Sequence, residues 1–254
     1  MNAVQNQPRS SQAMRRLLVV CALWQLGTGA GHAAPEGAAE SRTYNPGVFT
    51  GIEVSGSAVV RFEQGASEQV VVQGDDEVQR AVTLEVLPNG VLNIRTLGAW
   101  RFWADRRPQL LITARELKRV GISGAADFTV LQPLVAQVLS ISISGAGLAR
   151  MEQLSAEELR FSVSGSGDGQ FAGSVKQLRV SVAGRGDFRG ENLQSQRTSV
   201  SISGIGTAKV WAVDELSVSV SGIGSVDYWG TPNVKRSSSG LAKINERGAK
   251  AGVP

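Results

Sequence analysis

The chain has 254 residues, 42% hydrophobic and 19% charged with a formal net charge of +4, which is enough apolar content for a packed core and speaks against wholesale disorder. A single Cys excludes an intramolecular disulfide framework and a Cys-cluster metal site, and a single His speaks against His-based triads and His-rich metal sites. The 30 glycines stand well above the background of roughly 7%, so the fold needs many tight turns or close backbone approaches.

Arg15 and Arg16 precede the apolar run Leu17–Leu26, and the small residues Gly27, Gly29, Ala30, Gly31, Ala33 and Ala34 follow. This is the order of a secretory signal peptide, and the run is too short for a comfortable transmembrane helix of about 20 residues. Gly31 and Ala33 predict cleavage after Ala33, so residues 1–33 are read as a signal peptide and the mature chain as exported, to the periplasm or beyond the cell, with no transmembrane span. Val20 before Cys21 does not fit a lipid-attachment site. The removed segment carries Arg9, Arg15 and Arg16 and no acid, so 23 basic and 22 acidic residues remain and a nucleic-acid partner is not expected.

Residues 34–43 read as a flexible leader. A single domain is expected over 44–242, a β-solenoid capped by an N-terminal antiparallel β segment, with the cap strands in 44–115 and the repeat coils in 116–242. The cap strands are read at Val48–Val54, Ala58–Glu63, Glu68–Gln73, Ala81–Leu87 and Val91–Thr96, and Pro88-Asn89-Gly90 as a hairpin turn. Trp100, Phe102 and Trp103 then interleave with Arg101, Arg106 and Arg107. Such a cluster can stack on sugar rings or lie on a membrane surface, and otherwise covers the end of the core.

From residue 123 onward the chain repeats itself. Ser-Gly-x-Gly recurs at Gly145/Gly147, Gly165/Gly167, Gly204/Gly206 and Gly222/Gly224, with Ala for Ser at Gly184/Gly186. Ser123-Gly124-Ala125-Ala126 and Ser239-Gly240-Leu241-Ala242 are degenerate end copies, and Ser55-Gly56-Ser57-Ala58 is an earlier echo. The first glycines are spaced by 18 to 21 residues. Each follows a period-2 run, such as Leu139, Ile141 and Ile143 alternating with Ser140, Ser142 and Ser144, which predicts a strand with one buried and one solvated face. The repeat is too short for helices and fits one coil of a parallel β-solenoid. The glycines then stand at a corner where positive φ or close stacking excludes a Cβ. Residues 243–254 read as a disordered tail.

On the Phe49-Thr50-Gly51-Ile52-Glu53-Val54-Ser55-Gly56 stretch, the Ser-Gly-x-Gly series and the closing Val226-Asp227-Tyr228-Trp229-Gly230-Thr231-Pro232, the chain resembles the bacterial "putative auto-transporter adhesin, head GIN domain" family over about residues 45–242. The resemblance implies a right-handed β-helix-like fold and export, and brings no catalytic residues. No terminal membrane barrel or apolar anchor follows the repeat, so a free exported domain, or one held by a partner, is expected.

Three patterns bear on chemistry. Asp127, Asp168 and Asp187 each follow the first glycine of their repeat by three residues, which makes an acidic column for Ca²⁺ or a carboxylate pair one reading and turn chemistry the other. The outward serines, among them Ser140, Ser142, Ser162, Ser201 and Ser219, form a flat face suited to a polysaccharide, ice or another sheet, or simply to water. No nucleophile elbow, phosphate loop or dinucleotide fingerprint stands in strand–helix context. The expectation is therefore a non-enzymatic exported binding domain without a cofactor or metal, its partner a surface polysaccharide or an envelope protein. A polysaccharide lyase or hydrolase on a β-helix and a purely structural envelope rod are the alternatives.

Overall fold

The computed structural model describes residues 41–97 and 107–250. The expected signal peptide and, within the aromatic–arginine cluster, Trp100, Arg101, Phe102, Trp103 and Arg106 lie outside the described residues.

The described chain is almost entirely strand. Its N-terminal part holds β1 (Ser41–Tyr44), β2 (Gly51–Ser55), β3 (Ser57–Gln64), β4 (Gln69–Gln73), a one-turn helix α1 (Asp76–Ala81), β5 (Val82–Val86), β6 (Val91–Thr96) and β7 (Gln109–Ala114). The repeat region holds β8 (Arg119–Ile122), β9 (Ala125–Val130), β10 (Leu134–Ile143), β11 (Ala146–Val163), β12 (Ser166–Val182), β13 (Arg185–Ile202), β14 (Ile205–Val220), β15 (Ile223–Trp229), β16 (Asn233–Ser238) and β17 (Leu241–Glu246). Together they wind a β-solenoid of about six turns with coils of about 20 residues.

Successive coils pair in parallel and in register. Ile141, Phe161, Val180, Val200 and Val218 stack in one column, while the neighbouring Ser142, Ser162, Ser181, Ser201 and Ser219 stack in the next. The period-2 alternation dictates the faces: the first column is buried and the second points to solvent. Phe161, Phe171 and Phe188 meet at centroid distances of 5.4 to 5.5 Å inside the coils, and Phe62 meets Phe128 at 6.2 Å nearer the N-terminal end. Such ring pairs add stabilisation beyond their buried area.

The corner glycines have a common reason. A Cβ built on Gly145, Gly165, Gly184, Gly204, Gly222 or Gly240 would lie 1.9 to 2.1 Å from the carbonyl oxygen of the glycine one coil below. That same oxygen accepts the next coil's amide: Gly145 O from Ser166 N at 2.8 Å, Gly204 O from Ile223 N at 2.9 Å. The backbones touch, and the space for a side chain is gone. Close stacking, not positive φ, imposes glycine here, because none of these residues is among the left-handed glycines. Gly56, at φ +113°, is the foot of the column, and its carbonyl oxygen stands 1.9 Å from a Cβ on Gly124.

The N-terminal part does more than cap. β2 and β3 form a coil of the solenoid: β2 pairs in parallel with β6 and β8, and β3 with β7 and β9. The chain lays this coil first, leaves it through β4, α1 and β5, adds β6 and β7 on its outer side, and crosses back to β8 on its inner side. The antiparallel part is confined to β1 with β4, β4 with β7, and β5 with β6. The β5–β6 turn holds Gly90 at φ +72°, as Asn-Gly requires. Helix α1 was not foreseen; the Asp75 carboxylate accepts from Val78 N at 2.9 Å, an N-cap readable in Gly74-Asp75.

Two boundaries differ from the sequence expectation. Ser41–Thr43, placed in the leader, belong to β1, where pairing to β4 fixes them. Lys243–Glu246, placed in the tail, complete β17 on top of β15. Polar tail composition hid the strand, because an end coil buries little on its outer side.

Candidate functional site

A groove of about 930 Å³ runs along the rod beside the glycine corner. The register builds it from three columns. The first holds Ser166, Arg185, Ile205, Ile223 and Leu241, which are the variable residues of the Ser-Gly-x-Gly units. The second is the glycine floor: Gly167, Gly186, Gly206 and Gly224, ending in Ala242. The third holds Asp168, Asp187, Thr207, Ser225 and Lys243. Alternate residues of a strand point to the same side, so the first and third columns rise as two walls and bare backbone lies between them.

The walls differ in chemistry. Ile205, Ile223 and Leu241 are 48%, 54% and 74% exposed, an aliphatic ridge that grows toward the C-terminal end. Opposite it stand carboxylates, hydroxyls and one ammonium.

The structure places the three aspartates in one column but not in one site. Leu148 separates Asp127 from Asp168 and Asp187. Asp127 is taken by Arg107, whose Nη2 donates to Oδ2 at 2.8 Å. Asp168 Oδ1 accepts from the amide of Asp187 at 3.0 Å, a coil-to-coil tie. Among the described residues no group of three or more His, Cys, Asp or Glu side chains gathers as a metal ion would require.

The serine face is less uniform than the sequence suggested. Ser142, Ser162, Ser181, Ser201, Ser219 and Ser237 form an unbroken column, but the column beside it contains Arg119, Arg160, Arg179 and Lys235 among its serines. Glu158 binds both Arg160 at 2.7 Å and Arg179 at 2.9 Å, linking two coils. The Arg160 hydrogen bond holds the Glu158 carboxyl below the ordinary carboxylate range against the opposing effect of burial.

At the C-terminal end Asp227 accepts from Asn245 Nδ2 at 2.8 Å and from Arg247 at 3.1 Å. Burial pushes its carboxyl up, and those two hydrogen bonds outweigh it, with the charges of Arg247 and Lys209 adding to them, so it stays below the ordinary value. At the other end, burial holds the Glu53 carboxyl above the ordinary value, and the Ser123 hydrogen bond and Arg119 oppose this only in part.

Sequence reasoning singled out the aspartates and serines and passed over the groove. Its signal was present: the variable residue of Ser-Gly-x-Gly runs Ala146, Ser166, Arg185, Ile205, Ile223, Leu241, turning apolar where an outward position is ordinarily polar.

The family model described as "Putative auto-transporter adhesin, head GIN domain" matches residues 48–232, and the chain belongs to this family. No protein of curated function matches the sequence. Among solved structures, a "putative adhesin" from Bacteroides fragilis is 21% identical, covers 84% of this chain and 98% of its own, and superposes with a TM-score of 0.77. A "putative adhesin" from Parabacteroides merdae shares 20% identity over 83% of this chain and 97% of its own, with a TM-score of 0.64. A "Putative lipid binding protein" from Parabacteroides distasonis shares 22% identity over 83% of this chain and 97% of its own, with a TM-score of 0.66. At these identities the likeness is one of fold.

Proposed function

From membership of this adhesin-like family and from the groove, we propose that the chain is an exported, non-enzymatic binding module that holds a linear surface polysaccharide along its axis. The groove carries the reading. Coils stack about 4.8 Å apart, so a polymer laid along the rod meets one residue of each wall at every step. A sugar ring has an apolar face and a hydroxyl rim, and the aliphatic ridge of Ile205, Ile223 and Leu241 and the polar wall of Asp187, Thr207 and Ser225 suit the two. Export rests on the sequence signal in residues 1–33, and no helix among the described residues is long and apolar enough to cross a membrane.

A second reading is favoured by one observation. Three consecutive aliphatic side chains on an outward column also suit an acyl chain, and one structural relative carries a lipid-binding name. The two separate experimentally. Isothermal titration against a panel of linear glycans and against short-chain fatty acids compares wild type with Ile223→Asp and Asp187→Asn. A glycan ligand loses affinity in both variants, whereas an acyl ligand loses it only in Ile223→Asp, by about tenfold or more. Unaltered binding in both would remove the groove from the account. If Trp100→Ala with Trp103→Ala abolishes binding instead, the aromatic–arginine segment is the contact surface. Glycan turnover lost in Asp168→Asn or Asp187→Asn would make the chain an enzyme and overturn the proposal.

A further inference from the structure

Away from the groove, beside the middle of β14 and the C-terminal end of β15, the last described residues fold back onto the rod. Arg247 N donates to Tyr228 O at 2.8 Å, and Gly230 N donates to Gly248 O at 3.0 Å. These bonds deliver the Lys250 ammonium over two indole faces, 5.3 Å from the centroid of Trp211 and 5.5 Å from that of Trp229. The two tryptophans are register partners one coil apart. The ammonium also donates to the backbone carbonyl of Glu191 and, at 2.8 Å, to Asn192 Oδ1. Glu191 Oε2, at the same turn, is buried without a hydrogen-bond partner and leaves one acceptor uncommitted.

Two ring faces and two oxygen acceptors from three successive coils match the needs of a primary ammonium: a charge over π-systems and N–H donors directed at oxygens. We propose that Trp211, Trp229, the Glu191 carbonyl and Asn192 form a primary-ammonium binding site that the C-terminal segment occupies in cis through Lys250. A ligand's free amine takes the site when the segment leaves. The donor requirement sets the selectivity. A quaternary ammonium keeps the ring attraction but leaves both oxygens unpaired, and an N-acetylated amine lacks the charge. Lys250 competes at the high effective concentration of a tethered group, so external amines bind weakly while it is in place.

The test is a titration of the full mature chain, and of its Lys250→Ala variant, with ethanolamine, glucosamine, choline and N-acetylglucosamine, read by tryptophan fluorescence and by the shift in Tm. Lys250→Ala should keep the wild-type circular dichroism, because the residue lies outside every strand, beyond β17. It should bind the two primary amines saturably, at least about tenfold tighter than wild type does and about tenfold tighter than choline, with N-acetylglucosamine silent. The ratio of glucosamine to ethanolamine separates an amino-sugar source from a lipid-headgroup source. Adding Trp229→Leu should abolish the response, which ties the signal to this site rather than to Trp100 or Trp103. No saturable response in Lys250→Ala, equal affinity in wild type, or a response that survives Trp229→Leu overturns the proposal.

Discussion

Gly222 and Gly224 stand two residues apart in one Ser-Gly-Ile-Gly unit and answer differently to the same added methyl group. A Cβ on Gly222 would lie 2.0 Å from Gly204 O and 2.8 Å from two Ser203 backbone atoms or less, where ordinary contact begins near 3.4 Å. Relief requires the coils to part by more than an ångström against a spacing of about 4.8 Å. That opening breaks the 2.9 Å bond from Ile223 N to Gly204 O and strains the 2.9 Å bond from Ser221 N to Ile202 O. Each buried backbone pair lost costs about 1–3 kcal/mol, and the reduced freedom of the unfolded chain returns about 0.5–1 kcal/mol. Gly222→Ala is therefore expected to destabilise by about 2–4 kcal/mol. On Gly224 the nearest atoms are the side-chain carbons Ile202 Cδ1 at 3.1 Å and Cγ2 at 3.2 Å, which can shift, so Gly224→Ala should cost less than about 1 kcal/mol. For a domain of this size the difference corresponds to about 5–10 °C in Tm, measurable by circular dichroism melting of the two variants side by side. Equal melting of the two variants would refute carbonyl contact as the reason for the column.

Two further substitutions probe the ends of the rod. Because the Glu53 carboxyl is held above its ordinary value, its protonated form favours the fold; that contribution is full below the ordinary value and fades as pH rises through the raised one. Glu53→Gln should then melt at or above wild type near pH 7 and lose that advantage near pH 4, and a pH-independent difference would count against burial as the cause. Asp227 is held below its ordinary value, so its contribution is present above that value and is lost as pH falls through the lowered one. Asp227→Asn should reduce stability by about 1–3 kcal/mol near pH 7, and the gap should close in acid melts below about pH 3.

The coils were legible because one period carried two signals at once. The alternation of Leu139, Ile141 and Ile143 with serines set the faces, and the glycine spacing set the coil length. The N-terminal coil was not legible in the same way. Val48–Val54 and Ala58–Glu63 read as strands, but nothing local says that they lie between β6–β7 and β8–β9, because that order comes from a crossover between strands far apart in sequence. The repeat spacing brought the three aspartates to notice, but not their partners: Arg107 reaches Asp127 across the fold, and the Asp187 amide reaches Asp168 across a coil. The Trp211–Trp229 pairing rests on register between coils, and Lys250 reaches it by a fold-back that composition presented as a tail.

The comparison of the two glycine columns separates scaffold from recognition. The first column, Gly56 through Gly240, contains only glycine at every level, because backbone meets backbone there. The second column admits Ala58, Ala126 and Ala242: at Gly167 and Gly224 a Cβ meets only core side chains, which can yield, whereas at Gly147, Gly186 and Gly206 its nearest atom is the carbonyl oxygen one coil below, 2.2 to 2.7 Å away. Between them the variable residue faces water and is held by neither requirement, and its side chain ranges from Ser57 to Arg185 to Leu241 at one backbone position. The same strand pairing thus carries a serine, a guanidinium or an isobutyl group with no change in coil geometry. Binding character can then be altered on the groove wall without altering the forces that stack the coils, which is the property a recognition surface on a repeat scaffold needs.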